Sequence, residues 1–389
     1  MIGDWIPGVL SRRQVIELAG EGYITGLVEE AVDPSAIDLH LSDTAYELPN
    51  GSVKPFGGRY LHLIERDKLV KRYEPVDGIF LLERKKTYLF RLREALNLRE
   101  LNREIHGQAT AKSSVGRVDV LARLIVDGMS DYERFDRDAA DKGNGQMFVE
   151  ITPITFSVRV RVGDSVNQLR LFLGSPEGVE IQSQELYKTC LRGENPFLSV
   201  DLSPAMIGGL PASAFATSSE ETSAPIDLWE RKPRNSPELP DPCHYWRFLE
   251  WNEHHRLTIT KDEFYILRSR EEIALPSGVA VYCRASDETI GEMRIHYAGF
   301  VHPWFGRTRE DGKIGTPLIF EVRGHNVNVS LFHEERMARL IFYRMSEDAE
   351  KPEEKTPYNN QTLQLSKFFR EWPDKLTRID DHGRVTAAE

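Results

Sequence analysis

Ala109-Thr110-Ala111-Lys112-Ser113-Ser114-Val115-Gly116-Arg117 and, further on, Phe148-Val149-Glu150-Ile151 decide how this chain is read. The first stretch gathers a cation, two hydroxyls, a glycine and a guanidinium, the make-up of an anion-binding turn. The second sets one carboxylate between apolar strand neighbours, where a charge needs a partner or a task. The second pattern returns as Ile319-Phe320-Glu321-Val322, and comparing the two copies carries the reading outward to the whole chain.

At 389 residues the chain has room for two ordinary domains. A formal charge of -11 argues against nucleic acid as the main partner, because a phosphate backbone rewards Lys and Arg. A small anionic ligand needs only a local cationic pocket and is not excluded. The three cysteines, Cys190, Cys243 and Cys283, are far apart and odd in number, which reads as reduced thiols and a cytoplasmic location. No apolar run approaches the roughly 18 residues of a membrane span, and the N-terminus lacks a signal-peptide pattern. The expectation is a soluble cytoplasmic protein with no membrane partner.

In chain order, Ser11 to Gly20 reads as a short helix with Ser11 as N-cap and Gln14 completing a capping box. Asp33-Pro34-Ser35-Ala36 turns into a strand in which Ile37, Leu39 and Leu41 share a face. Alternating segments follow from Gly78, among them Tyr88, Phe90 and Leu92, then Val158 to Val162 with Arg159 and Arg161 on one face. Seven prolines among Ser, Thr, Ala and Glu between Ser203 and Pro242 suggest an irregular linker, with an ordered wrap over a neighbouring barrel as the alternative. Strands resume at Arg256 to Thr260, Phe264 to Leu267 and Asn326 to Leu331; Leu363 to Trp372 reads as a short helix and the last residues as frayed.

Self-similarity organises these pieces. Tyr88 with Tyr265, Glu94 with Glu271 and Leu98 with Leu275 align at an offset of 177 residues. Gly116 aligns with Gly291 at 175, and Glu150 with Glu321 at 171. So slow a drift points to two copies of one β domain. The copies differ in a complementary way. Where the first has Lys112, Ser113, Ser114, Gly116 and Arg117, the second has Asp287, Glu288, Thr289, Gly291 and Glu292, which cannot cradle an anion. The second alone keeps a compact turn, Ala298-Gly299-Phe300-Val301-His302-Pro303-Trp304-Phe305-Gly306, where the first has a long charged loop, Asp131 to Gly145.

At these residues the chain resembles the dCTP deaminase group of the dUTPase-like superfamily, in a tandem-duplicated form. That group carries Arg-Ser-Ser-x-x-Arg, matched by Lys112 to Arg117 with Lys in the first place. Its Ala-Gly-Phe-Ile-Asp-Pro-Gly-Phe turn is matched by Ala298 to Phe305, with His302 for Asp and Trp304 for Gly. Its Leu-Glu-Leu strand is similar to Val149-Glu150-Ile151 and Phe320-Glu321-Val322, its Ala-Gln-Leu motif to Asn167-Gln168-Leu169, and its C-terminal Tyr-x-x-Gln to Tyr358-Asn359-Asn360-Gln361.

The resemblance implies a mainly β chain of two tandem dUTPase-like (β-clip) distorted barrels with a few short helices. The copies would span 1–202 and 243–389, joined by 203–242. It implies sites between neighbouring barrels, one giving the phosphate side and the other the base side. The expected reaction is hydrolysis of dCTP to dUTP and ammonia. The strand glutamate carries the protons, with Glu321 the first choice and Glu150 the second. Ser113, Ser114 and Arg117 would hold phosphate, water or developing charge, with Lys112 and Gln168 beside them. Ala298, Gly299, His302 and Phe305 belong to the base pocket, and Lys355, Tyr358 and Gln361 to a closing tail.

His333-Glu334-Glu335 is the start of a zinc-deaminase pattern, but no paired cysteines follow, so catalytic zinc is not expected. Mg²⁺ would come with the triphosphate. Because the family's rings hold three barrels, the expected homo-oligomer is a trimer of two-barrel chains. Alternatives are a dUTP diphosphatase, disfavoured by a tail with Gly383 as its one glycine after Leu363, and a nucleotide-binding regulatory protein whose catalysis has decayed.

Overall fold

The computed structural model describes residues 4–60, 62, 70–138, 143–191, 193–217, 224–229, 233–286, 293–295 (backbone alone), 299–307, 312–352, 358 and 361–388. Ala298, Lys355 and the acidic counterpart of the anion turn at 287–292 lie outside them.

After the helix α1 (Arg12–Gly20), the first copy comprises β1 (Ala36–Leu48), β2 (Thr87–Leu96), β3 (Ile105–Ala111), the one-turn helix α2 (Ser113–Gly116), β4 (Val120–Val126), β5 (Gln146–Pro153) and β6 (Ser165–Leu173). These strands form one antiparallel sheet in the order Arg134–Asp136, β3, β6, β1, β2, β5, β4. The second copy adds α3 (Gln184–Leu191), β7 (Phe197–Asp201), β8 (Ala214–Thr217), β9 (Phe264–Ile273), β10 (Val279–Ala285), β11 (Gly299–Val301), β12 (Thr316–Gly324) and β13 (Arg336–Arg344). Its sheet runs Trp246–Leu249, β8, β9, β7, β13, β10, β11, with β12 also paired to β9. The architecture is mainly β, a nearly closed barrel and a half-barrel. Among the described residues no helix is long and apolar enough to cross a membrane.

The two sheets repeat one another in register. Glu150 on β5 sits opposite Leu89 on β2, and Glu321 on β12 sits opposite Ile266 on β9. Leu89 and Ile266 are themselves separated by the offset of 177 that relates Tyr88 to Tyr265. The aligned residues do matching jobs. The Tyr88 hydroxyl accepts from the Glu83 amide at 3.1 Å, and the Tyr265 hydroxyl from the Thr260 amide at 2.8 Å. Glu94 receives the His40 amide at 2.8 Å, and Glu271 the Ser199 amide at 2.7 Å. Each glutamate thus satisfies a backbone donor of the neighbouring strand, a use that suits a charged group in a sheet interior.

The capping box on α1 forms as its sequence dictates, and Gln14 also reaches Ser346 of the second copy at 2.9 Å. Within the Pro- and Ser-rich stretch, β8 joins the second sheet while Ile226–Asp227 pairs with Val158–Arg159 of the first copy. An aromatic cluster seals the seam between the copies. Phe156 meets Tyr245, Trp246 and Phe369 at ring distances of 5.6, 5.8 and 6.5 Å, each contact adding roughly 0.5–1.5 kcal/mol beyond area burial.

Two expectations fail at the C-terminus. Residues 363–372 form no helix; Leu363, Leu365, Phe368 and Phe369 are buried in an irregular path. Their backbone groups bond outward instead, Arg370 N–H to Pro240 and Glu371 N–H to Arg234 at 3.2 and 3.0 Å. The last residues are not frayed, because Leu376–Arg378 pairs with Val385–Ala387 and Gly383 accepts the Phe248 amide at 2.8 Å. Gly383 has φ 88°, and any Cβ there would strike the Phe248 carbonyl. The strand expected from Asn326 instead covers Val329–Phe332, paired with Arg256–Ile259.

Candidate active site

The anion turn is built by α2. Lys112 leaves β3 in an extended conformation, and the Gly116 and Arg117 amides close the turn on Lys112 and Ser113 carbonyls at 3.0 and 3.1 Å. Ser113 stays exposed, while Ser114 and Arg117 turn inward and are buried. The wall they face comes from the other copy. Glu321 is 5 % exposed on β12, its Oε1 3.9 Å from the Arg117 Nε. That spacing makes an ion pair but no direct hydrogen bond, and Arg117 Nε has no hydrogen-bond partner among the described residues.

The C-terminal tail supplies the third side. Arg117 Nη2 donates to Gln361 Oε1 at 2.6 Å, Nη1 to the Gln364 carbonyl at 3.3 Å, and the guanidinium lies 4.0 Å from the centre of the Tyr358 ring. The Tyr358 hydroxyl meets Ser114 Oγ at 2.7 Å, and Ser366 Oγ donates to the Ser114 carbonyl at 2.7 Å. Gln361 Nε2 anchors the tail to Pro317 on β12 at 2.7 Å. Ser114, Arg117, Glu321, Tyr358 and Gln361 therefore form one cluster assembled from both copies and the tail.

Burial pushes the Glu321 carboxyl up to about 7, with the Arg117 charge pulling against it. The same burial pulls Arg117 down. Cys283 on β10 feels the Glu321 charge, and burial with that charge pushes its thiol up to about 12. A carboxyl poised near neutrality beside a guanidinium suits a group that accepts and returns a proton.

A second polar cluster adjoins through Lys112. Its ammonium pairs with Asp38, and Gln168 Nε2 donates to Asp38 at 2.9 Å and Asp33 at 3.1 Å. Burial and the neighbouring Asp38 push Asp33 up to about 6. His302 Nδ1 lies 2.9 Å from Ser35 Oγ, and burial with the nearby Arg170 pushes the imidazole down to about 3, leaving it neutral. The turn carrying His302 is tight. Trp304 adopts φ 70°, the left-handed region a glycine favours, at roughly 1–2 kcal/mol, and its indole N–H is held by the Ala349 carbonyl at 2.9 Å. Gly299 pairs with Cys283, and Phe305 packs against the second core.

Glu150 stands apart from these clusters. Its carboxylate accepts from Arg123 at 2.5 Å, from the Tyr132 hydroxyl at 3.3 Å and from the Val53 amide at 3.3 Å, all within the first copy. The Tyr60 hydroxyl donates to the Val53 carbonyl at 2.6 Å, fixing the segment that covers it.

Sequence reasoning missed two neighbours of the main cluster. Arg234, from the Pro-rich stretch, feels the charges of Tyr358, Glu371 and Arg117 and is held down by burial. Arg323 lies two residues beyond Glu321 and binds Asp119 at 2.9 Å. Its one visible signal is the shared strand face of positions 321 and 323. Among the described residues, no group of three or more His, Cys, Asp or Glu could hold a metal ion.

Comparison with known proteins identifies the family. The family model for the 2'-deoxycytidine 5'-triphosphate deaminase (DCD) N-terminal domain matches residues 6–175, and the model for the C-terminal domain matches 194–369. No curated protein sequence matches the chain. Among solved structures, the crystal structure of 2'-deoxycytidine 5'-triphosphate deaminase from Agrobacterium tumefaciens superposes with a TM-score of 0.76 at 27% identity, covering 88% of this chain and 97% of that one. With both halves matched and the fold shared over nearly the whole length, the chain belongs to the 2'-deoxycytidine 5'-triphosphate deaminase family of hydrolytic deaminases.

Proposed function

We propose that the chain deaminates dCTP at the composite cluster, with Glu321 as the proton carrier and without a catalytic metal. The observation that carries this reading is the meeting of Arg117 and Glu321, one from each copy, in a buried pair whose carboxyl is poised at about 7. Water adds to C4 of cytosine while Glu321 takes its proton. The proton goes to N3 as the C4–N3 double bond opens onto that nitrogen, and Glu321 then carries the proton of the new C4 hydroxyl to the amine. The C4–N4 bond then breaks, giving dUTP and ammonia from dCTP and water.

Arg117 holds negative charge next to the carboxylate, and Ser113 and Ser114 present hydroxyls to substrate or water. Lys112 and Gln168 line the phosphate side; Gly299, His302 and Phe305 line the base side. Tyr358 and Gln361 close the tail over the nucleotide. Mg²⁺ arrives as part of the substrate, held by phosphate and water. We place the enzyme in the cytoplasm, in keeping with its three free cysteines, as a homo-oligomer of three two-barrel chains.

The test is to incubate the purified chain with dCTP and, separately, dUTP, and to measure ammonia and pyrophosphate. Ammonia from dCTP with no pyrophosphate from either is expected. Pyrophosphate from dUTP would move the reading to a diphosphatase, and neither product would move it to a binding protein.

A further inference from the structure

The end of the anion turn and the strand that carries Glu321 are matched in charge at two successive positions. Arg117 and Asp119 lie two residues apart on the first copy; Glu321 and Arg323 lie two apart on β12 and share a face. Across the seam cation meets anion twice, in opposite sense. Arg117 is 3.9 Å from Glu321, and Asp119 is 2.9 Å from Arg323. Sliding β12 by two residues would set Arg323 against Arg117, a like-charge contact in a poorly hydrated seam.

The outer pair is built to be rigid. Asp119 is fully buried and adopts φ 56°, a left-handed conformation that Asp tolerates. Its amide closes on the Gly116 carbonyl at 2.9 Å, and its own carbonyl receives the Ile154 amide at 2.9 Å. The Thr155 hydroxyl donates to the Asp119 carboxylate at 2.6 Å and receives Arg323 Nη2 at 2.8 Å, while Arg323 Nη1 reaches the Asp262 carbonyl at 2.5 Å. The first copy has Thr152 where the second has Arg323, and its hydroxyl meets Thr87 inside its own barrel at 3.0 Å. The bracket therefore accompanies Glu321 and is missing beside Glu150.

From this geometry we infer that Arg323, held by Asp119 and Thr155, is a positioning residue for the deamination: it locks β12 to the anion turn and keeps Glu321 at its working distance from Arg117. The inference rests on Glu321 being the proton carrier.

Asp119→Asn is the sharpest probe, because Asn keeps the left-handed backbone and one side-chain oxygen while removing the charge. kcat for dCTP, counted per folded molecule from thermal unfolding at the assay pH, is expected to fall about tenfold with KM changed less than about threefold. The acidic limb of the kcat profile should also move to lower pH as water reaches a loosened Glu321. Thr155→Val, a milder change, should give the same signature at about threefold. Arg323→Lys should recover more kcat than Arg323→Met.

Lower melting temperatures in Asp119→Asn and Thr155→Val, with kcat per folded molecule and the pH limb unmoved, would overturn the positioning role. Glu321→Gln measured alongside separates the two readings. If that variant stays active, the base assignment and the positioning role fall together; if it is inactive while the bracket variants keep full kcat, the positioning role alone falls.

Discussion

Glu321 and Glu150 occupy the same place in two copies of one sheet, yet their surroundings have parted. Glu150 is answered within its own barrel by Arg123, Tyr132 and the Val53 amide. Among the described residues, Glu321 has Arg117 as its charged partner, beside a hydrogen bond from its own amide. It faces a guanidinium from the other copy at ion-pair distance and a tail that returns from the C-terminus. A buried carboxylate with three donors has its hydrogen-bonding needs met inside its own barrel. One that burial pushes up to about 7, beside one cation among the described residues, has the properties that the proposed proton carrier needs. Duplication lets one site be dismantled while its counterpart keeps its parts, provided that the parts are drawn from both copies.

The widest contrast is expected from removing each carboxylate in turn. Glu321→Gln should lower kcat for dCTP about a thousandfold, and Glu150→Gln should leave it within about twofold, as measured by ammonia release. Equal losses would mean that the copies share the work. The two arginine partners come next. Arg117→Lys should cost about a hundredfold in kcat/KM, because an ammonium cannot serve Gln361, the Gln364 carbonyl and an anion together. Arg123→Lys should change kcat/KM less than about threefold while lowering the melting temperature.

The third contrast is in pH. The Glu321 carboxyl is raised in the folded state, so the folded chain holds that proton more tightly than the unfolded chain. Its contribution to stability is present below the ordinary carboxylate range near 4.5 and is lost as pH rises to about 7. Wild-type stability minus that of Glu321→Gln should therefore fall between pH 4.5 and 8, by up to about 3 kcal/mol. Denaturant titration at several pH values measures it, and a difference that rises with pH would contradict the environment described for Glu321. The smallest effect belongs to the tail. Tyr358→Phe removes the hydroxyl that meets Ser114 and the Lys367 amide, and should raise KM for dCTP about fivefold with little change in kcat.

Much of this was legible in the sequence where one residue has one strict local task. Tyr88 and Tyr265 each receive a turn amide, and Glu94 and Glu271 each receive a strand amide, so the repeat left matched residues at constant spacing. The complementary loss of the anion turn pointed to a site shared between copies, and the structure joins Arg117 to Glu321. Other features depend on tertiary placement. Leu363, Leu365, Phe368 and Phe369 have spacing a helix would accept, but they bury toward more than one neighbour and the backbone bonds elsewhere. Arg323 looks like any strand arginine until Asp119 is found across the seam. The hydrogen bonds of Arg123 and Tyr132 to Glu150 depend on a neighbouring strand and on a loop whose course its sequence does not fix.

Both chain ends are fastened across the divide. Near the start, Val9 bridges to Met345 and Gln14 holds Ser346; near the end, Ser366 and Gln361 hold Ser114 and Arg117. Each half of the polypeptide is thus latched by the terminus of the other, like a folded strap buckled at both tips. Neither half can come away without opening a latch, so melting should spread through the whole chain as one event. A single calorimetric transition, rather than two steps, is the thermodynamic signature of that buckle.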